Sequence, residues 1–390
     1  MDLAVPLTRA TNRERRGLLL AFAVFGAFWG AWAAVLPAIR LRAGVDDGQL
    51  GLALGAIALS AVPVMPLAGR LVDRLGPGRM LPVSMVLFAV VLPLAALAHS
   101  LAALVGALVL LGAATGSMDV SANTATAGWE RLESGRLMSV GHGAFSVGVL
   151  VGSACAGVAR QAGAGPLPVL ATVAVLVLAV GLTQPGYRRV DVGAERSATP
   201  GSRLPAFMLG VGALTAGAFL AEDAIQSWSA LHLERGLGAS PAVSGLGPAL
   251  FAGAMAVGRL AGGLVRWADH LVVAACGVAL AAGVLVVALA PSAPVALAGL
   301  LLAGAGTSVL APVLYSAVGA RAAAGRQGAD LATVSALGYA GFVAGPPLVG
   351  VISAASSLPV ALGCIAVVGT AIAVGGPVLL RRRTAERITT

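Results

Sequence analysis

Polar residues interrupt this chain only at intervals. Between them, apolar runs recur over 17–39, 49–69, 80–98, 102–127, 138–159, 166–185, 205–231, 242–265, 271–290, 294–317, 331–353 and 358–380. A helix that crosses a bilayer needs about 20 mostly apolar residues. The pattern therefore predicts twelve membrane-spanning helices. Soluble helices carry one polar face and one apolar face; most of these runs do not. The first run follows Arg9, Arg13, Arg15 and Arg16 in the manner of a signal peptide. It is longer than the roughly 7–15 residues of a signal core, so it reads as an uncleaved first span.

Composition agrees. Hydrophobic residues make up 58% and charged residues 11% of the 390, against roughly 25% charged in soluble domains. This excludes most soluble enzymes. The 53 glycines suit spans in which small residues let helix backbones approach closely. Cys155, Cys276 and Cys364 lie in separate runs, with neither disulfide nor zinc spacing.

The formal net charge is +9, and every basic residue is Arg. With the N-terminus in the cytoplasm, all the arginines except Arg40, Arg42, Arg160 and Arg235 fall on the cytoplasmic side. This is the positive-inside pattern. It predicts a multi-pass protein of the inner (plasma) membrane with both termini cytoplasmic. The basic excess is thus a topology signal, and no nucleic-acid partner is expected. A chain without Lys cannot supply a P-loop lysine.

The longest polar connection divides the spans into two sets of six. The expected organisation is an N-terminal bundle (1–186), a cytoplasmic linker (187–204) and a C-terminal bundle (205–390). The halves echo each other: Trp32-Ala33-Ala34-Val35-Leu36 with Trp228-Ser229-Ala230-Leu231-His232, Gly69-Arg70-Leu71 with Gly258-Arg259-Leu260, and Gly148 and Gly152 with Gly345 and Gly350. Internal repeats of this kind are the usual build of secondary transporters, with the site between them near mid-membrane.

The loop after the second span reads Gly69-Arg70-Leu71-Val72-Asp73-Arg74-Leu75-Gly76-Pro77-Gly78-Arg79. It resembles the signature loop of the major facilitator superfamily, in sequence and in position. The resemblance implies an all-α integral membrane protein with twelve transmembrane helices in two pseudo-symmetric six-helix bundles. It also implies a cytoplasmic gating loop built on Gly69, Asp73, Arg74, Gly76 and Arg79. Gly69 would let helices approach and Gly76 would permit a tight turn. Arg74 and Arg79 would pair with Glu130 or Glu133. Pro77-Gly78 departs from the family's basic residues. Met118-Asp119-Val120-Ser121-Ala122-Asn123, Glu222-Asp223 and Gly338-Tyr339-Ala340-Gly341 resemble the bacterial branch related to fucose permease. That likeness does not carry over a sugar substrate.

Ionisable residues inside a span are costly and usually functional. Asp119 in span four is the foremost candidate for proton coupling. Asn123 lies one turn on, on the same face. His142 begins span five at similar depth, so the hairpin geometry permits an Asp119–His142 pair. Glu222 and Asp223 in span seven point apart, and Gln226 is one turn from Glu222. These residues are candidates for proton coupling or substrate binding. Trp29, Trp32, Trp228 and Tyr339 are candidates for the substrate cavity, where rings stack on sugars or organic cations. Gly345-Pro346-Pro347 is expected to break span eleven.

The expectation is a monomeric secondary transporter of a small solute. It would work by alternating access, with protons as the coupling partner, the lipid bilayer as solvent and no cofactor or metal. Uncoupled or antiport efflux of a drug or metabolite remains open, as does a non-transporting membrane sensor or scaffold. An enzyme is not expected, because His99, His142, His232 and His270 show no catalytic or ligand spacing.

Overall fold

The computed structural model of the chain describes residues 12–132, 137–187, 206–262, 267–322 and 327–381. Of the expected linker, 188–204 lie outside the described residues, as do Glu133 and the chain ends. The described elements are helical: α1 (Asn12–Ala43), α2 (Asp47–Leu75), α3 (Pro77–Val91), α4 (Leu101–Leu132), α5 (Leu137–Gln161), α6 (Pro166–Leu182), α7 (Ala206–Leu231), α8 (Pro241–Gly262), α9 (Asp269–Ala288), α10 (Ala293–Thr307), α11 (Leu310–Gly319), α12 (Gln327–Ala355) and α13 (Leu358–Arg381). A 3₁₀ turn, Leu92–Leu97, extends α3, and a π-helical turn, His232–Gly236, extends α7.

Among the described residues, eleven segments are long and apolar enough to cross a membrane, α10 and α11 counting as one, Ala293–Gly319. The shorter apolar helix α6, with 17 residues, is the twelfth and lies at the lower limit of about 17 for a span. Large apolar side chains such as Leu59, Leu260 and Val367 face outward. Water would penalise such a surface, but a bilayer does not.

Local chemistry sets the helix ends. Asp46 caps α2 by accepting from the Gln49 N–H at 2.8 Å, and the Gln49 side chain accepts from the Asp46 N–H. This reciprocal box satisfies two donors that the first turn would leave orphaned. Proline sits in the first turn of α3, α6 and α10, where its missing N–H costs nothing. Gly76 has φ +83° at the α2–α3 turn, a conformation that only glycine adopts without strain.

The two halves pack alike. In the first, α1 lies on α5, α2 on α4, and α3 on α6. In the second, α7 lies on α12, α8 on α10, and α9 on α13. Gly148 and Gly152 of α5 face the α1 backbone at Ala23 and Ala27, while Gly341 and Gly345 of α12 face α7 at Ala216 and Leu220. Gly350 differs from that set. It meets Gly51 across the two halves, as Gly157 meets Gly245. Its counterpart is therefore Gly157.

Two expectations about shape are corrected. α12 continues through Pro346 and Pro347 without a break, and Pro347 instead packs against Gly55 of the other half. The interruption falls in the tenth span, at Ser308–Val309 between α10 and α11. The region around Gly69 is open, so this glycine does not mediate a close helix approach here. Gly78 does: a Cβ there would lie 2.6 Å from the Tyr187 nitrogen. The unusual Pro77-Gly78 pair thus starts α3 and admits the chain after α6. Tyr187 donates to Gln184, which donates to the Gly17 carbonyl at 3.2 Å. Burial first, then the Glu14 charge, pushes the Tyr187 phenol above its ordinary value, so it remains a neutral donor.

Candidate functional site

The halves meet at the end of the bundle opposite the Gly69–Arg79 loop. Two polar clusters tie them there. Arg160, in the last turn of α5, donates through Nη1 to Glu234 Oε2 at 2.8 Å and through Nη2 to Oε1 at 2.9 Å. Arg160 Nη1 also reaches the Ala34 carbonyl at 2.9 Å, and Ser244 donates to Glu234 at 3.1 Å. A bidentate guanidinium–carboxylate pair is the strong geometry for this contact. Arg160 is only 8% exposed, so it depends on its partner.

The second cluster centres on Asp47. Its Oδ1 accepts from Arg40 Nε at 2.8 Å and from Arg235 Nη1 at 2.7 Å, and its Oδ2 accepts from Ser353 at 2.7 Å. Arg40 belongs to the same half, whereas Arg235 and Ser353 come from the other. Asp46 occupies the cap of α2, which leaves Asp47 free for this task. Beneath the clusters the backbones close in. A Cβ on Gly51 would sit 2.8 Å from the Gly350 Cα, and one on Gly245 would sit 2.8 Å from the Gly157 Cα. Ser153 donates to the Gly245 carbonyl at 2.7 Å. Arg160–Glu234, Arg235–Asp47, Ser353–Asp47 and Ser153–Gly245 thus link the halves at this end.

Below the closed end, polar residues from both halves fall in one layer. At about 1.5 Å per residue, Trp29, Asp119, His142, Glu222, Asp223, Arg259 and Tyr339 lie roughly 20–28 Å along their helices from that end. All seven side chains keep some exposure. Asn123 Nδ2 donates to the Asp119 side chain and carbonyl, each at 3.0 Å. Glu222 and Asp223 diverge. Glu222 pairs with Arg259 Nη2 at 3.6 Å, whereas Asp223 accepts from Ser227 at 3.4 Å. Gln226 is half-buried one turn beyond Glu222.

Aromatic rings line the same layer. Phe219 and Phe342 stack with centroids 4.5 Å apart, and Tyr339 meets them at 6.4 and 5.7 Å. Trp29 is half-buried against Phe25 and Phe28.

Several expected roles change. Trp32 and Trp228 are 2% and 0% exposed; they are packed between helices and do not reach the layer. The Asp119–His142 pair is not formed. α4 and α5 follow each other in sequence but pack chiefly on other helices. The His142 ring rests 5.3 Å from the Phe22 ring, centroid to centroid. Arg259, counted among the cytoplasmic arginines, is also the partner of Glu222. Its place inside the 242–265 run was the available signal. Glu130 accepts from the Met138 N–H at 2.7 Å and so caps α5. Arg74 and Arg79 are exposed at the loop. Among the described residues, no group of three or more His, Cys, Asp or Glu is arranged to hold a metal.

The comparisons with known proteins agree with this architecture. The sequence profile of the Major Facilitator Superfamily matches residues 17–221. An uncharacterized MFS-type transporter of Yersinia pestis is 33% identical over 369 residues, which span 93% of this chain and 94% of that protein. Among solved structures, the nucleoside transporter NupG superposes with a TM-score of 0.73 at 14% identity, covering 95% of this chain and 100% of that one. The E. coli fucose:proton symporter FucP gives a TM-score of 0.61 at 17% identity, covering 94% and 98%.

Proposed function

Because this chain belongs to the Major Facilitator Superfamily, we propose that it is a secondary transporter that carries a small solute by alternating access, with proton coupling. The observation that carries this reading is a contrast in depth. Ion pairs and glycine contacts seal the halves at one end, and half-exposed polar side chains from six helices meet in one layer below that seal.

The moving units are the halves 1–186 and 205–390, joined by 187–204. Rocking them about the central layer exposes it first to one side and then to the other. Placing both termini in the cytoplasm, in the inner membrane, follows from the arginine distribution. The sealed end is then outside, and the described conformation opens inward. The Gly69–Arg79 loop latches the cytoplasmic end in the alternate state. A single chain suffices for this cycle.

Asp119 is the proposed proton carrier. It lies at membrane depth, its described partner is the uncharged Asn123, and intramembrane carboxylates serve in proton relays. Glu222 or Asp223 contributes on the opposite half. The test is proton movement in vesicles reconstituted with the purified protein and loaded with a pH-sensitive dye. Wild type is expected to move protons when its solute is added, and Asp119→Asn to insert normally but move none. Coupled movement by that variant removes Asp119 from the role. Solute movement without protons in wild type favours the uncoupled reading.

A further inference from the structure

Charge and ring placement in the central layer say more about the solute. Resting on the transport reading of this same site, we infer that the solute is an organic cation, an amine joined to an apolar or aromatic body, held between Asp223 and the Phe219–Tyr339–Phe342 rings.

The argument starts from charge balance. Among the described residues, the layer contains three carboxylates, Asp119, Glu222 and Asp223, one guanidinium, Arg259, and one imidazole, His142. Arg259 is committed: it pairs with Glu222 at 3.6 Å and donates to the Ser308 carbonyl at 3.3 Å. Among the described contacts, Asp119 is held by an amide and Asp223 by a hydroxyl at 3.4 Å. Neither receives a basic side chain. When the layer is closed off from water during the cycle, each of its carboxylates needs a counter-charge or a proton. The proposed coupling assigns the proton to Asp119 and leaves Asp223 to a cationic solute. An anionic solute would meet uncompensated carboxylates and an arginine already in use. A neutral polyol would leave Asp223 unbalanced.

The rings supply an independent observation. Phe219 is four residues before Asp223 on α7, hence on the same helix face. It stacks on Phe342, and Tyr339 closes the group edge-on. Aromatic faces attract cations and stack against planar apolar groups. Carboxylate and rings together fit a protonated amine with a hydrophobic body better than a solute recognised by hydrogen bonds alone.

Three probes of matched shape test this: 2-phenylethylamine, 2-phenylethanol and phenylacetate. Each is titrated into the purified protein in lipid nanodiscs, with the thermal shift as readout. The amine is expected to bind saturably and at least tenfold more tightly than the alcohol, and the acid is expected not to bind. Asp223→Asn should weaken the amine at least tenfold and leave the alcohol unchanged. Phe219→Leu should weaken the amine several-fold, with the fold of each variant checked by gel filtration. Equal binding of alcohol and amine, binding by an unaltered Asp223→Asn, or binding of none of the three overturns the inference. The transport reading is judged separately by label distances at the two ends, which need no solute. A protein that rocks but does not prefer the amine loses only the cation; one that prefers the amine but does not rock loses only transport.

Discussion

Arg160 and Glu234 share a two-point ion pair that ties α5 in the first half to the turn after α7 in the second, with contacts of 2.8 and 2.9 Å. The pair is largely shielded from water. Removing one partner therefore costs more than the pair itself is worth, because a buried charge is left behind, at about 3–5 kcal/mol. Glu234→Gln should shift the protein away from the sealed state. Thiol accessibility from the sealed side should rise several-fold at a cysteine introduced at Gly253, which faces Leu150 of the other half below the seal, with the fold intact. Unchanged accessibility would make the pair incidental.

Asp47 holds three partners, two of them from the other half. Asp47→Asn keeps the α2 cap, since Asp46 makes it, but weakens the contacts to Arg40 and Arg235. The same accessibility assay should respond in the same direction as Glu234→Gln. High salt should move wild type part of the way in that same direction, because Arg235 is 46% exposed and exposed pairs are screened. A salt-independent seal would contradict this.

Gly51 and Gly245 admit the opposite backbones at the seal. Gly245→Val should prevent closure by placing carbon where Gly157 lies, while Gly253→Val, lower on the same helix, has only the end of the Leu150 side chain to displace. Transport should fall at least tenfold in the first variant and far less in the second. Equal losses would point to general damage to α8.

Gly76 carries φ +83° and ψ 151°, a region closed to side chains. Gly76→Ala should cost about 1–3 kcal/mol and lower the thermal melting point. An unaltered melting point would mean that the α2–α3 turn relaxes freely.

Much of the fold was legible from the runs alone, because a bilayer sets the length of each span regardless of its neighbours. Which face of a span points inward was not. Trp29 and Trp32 stand one turn apart in α1, yet the first is half-exposed at the layer and the second is 2% exposed. In lipid both faces are apolar, so no polar stripe marks the difference. Arg160, Arg235 and Arg40 were legible only as the minority on the outer side. Their partners lie 74, 188 and 7 residues away, and only the folded chain brings the first two together. The partner of Arg259 was hidden for a similar reason: its carboxylate, Glu222, is on another helix.

The central claim is reciprocity between the two ends. Spin labels at Leu41→Cys and Leu289→Cys report on the sealed end, and labels at Leu75→Cys and Leu260→Cys report on the loop end, in protein whose own cysteines are replaced. With Asp47→Asn and Glu234→Gln combined, the first distance should lengthen while the second shortens in the same preparation. If both distances stay fixed, or if both lengthen together, the halves do not rock about the central layer and the account fails.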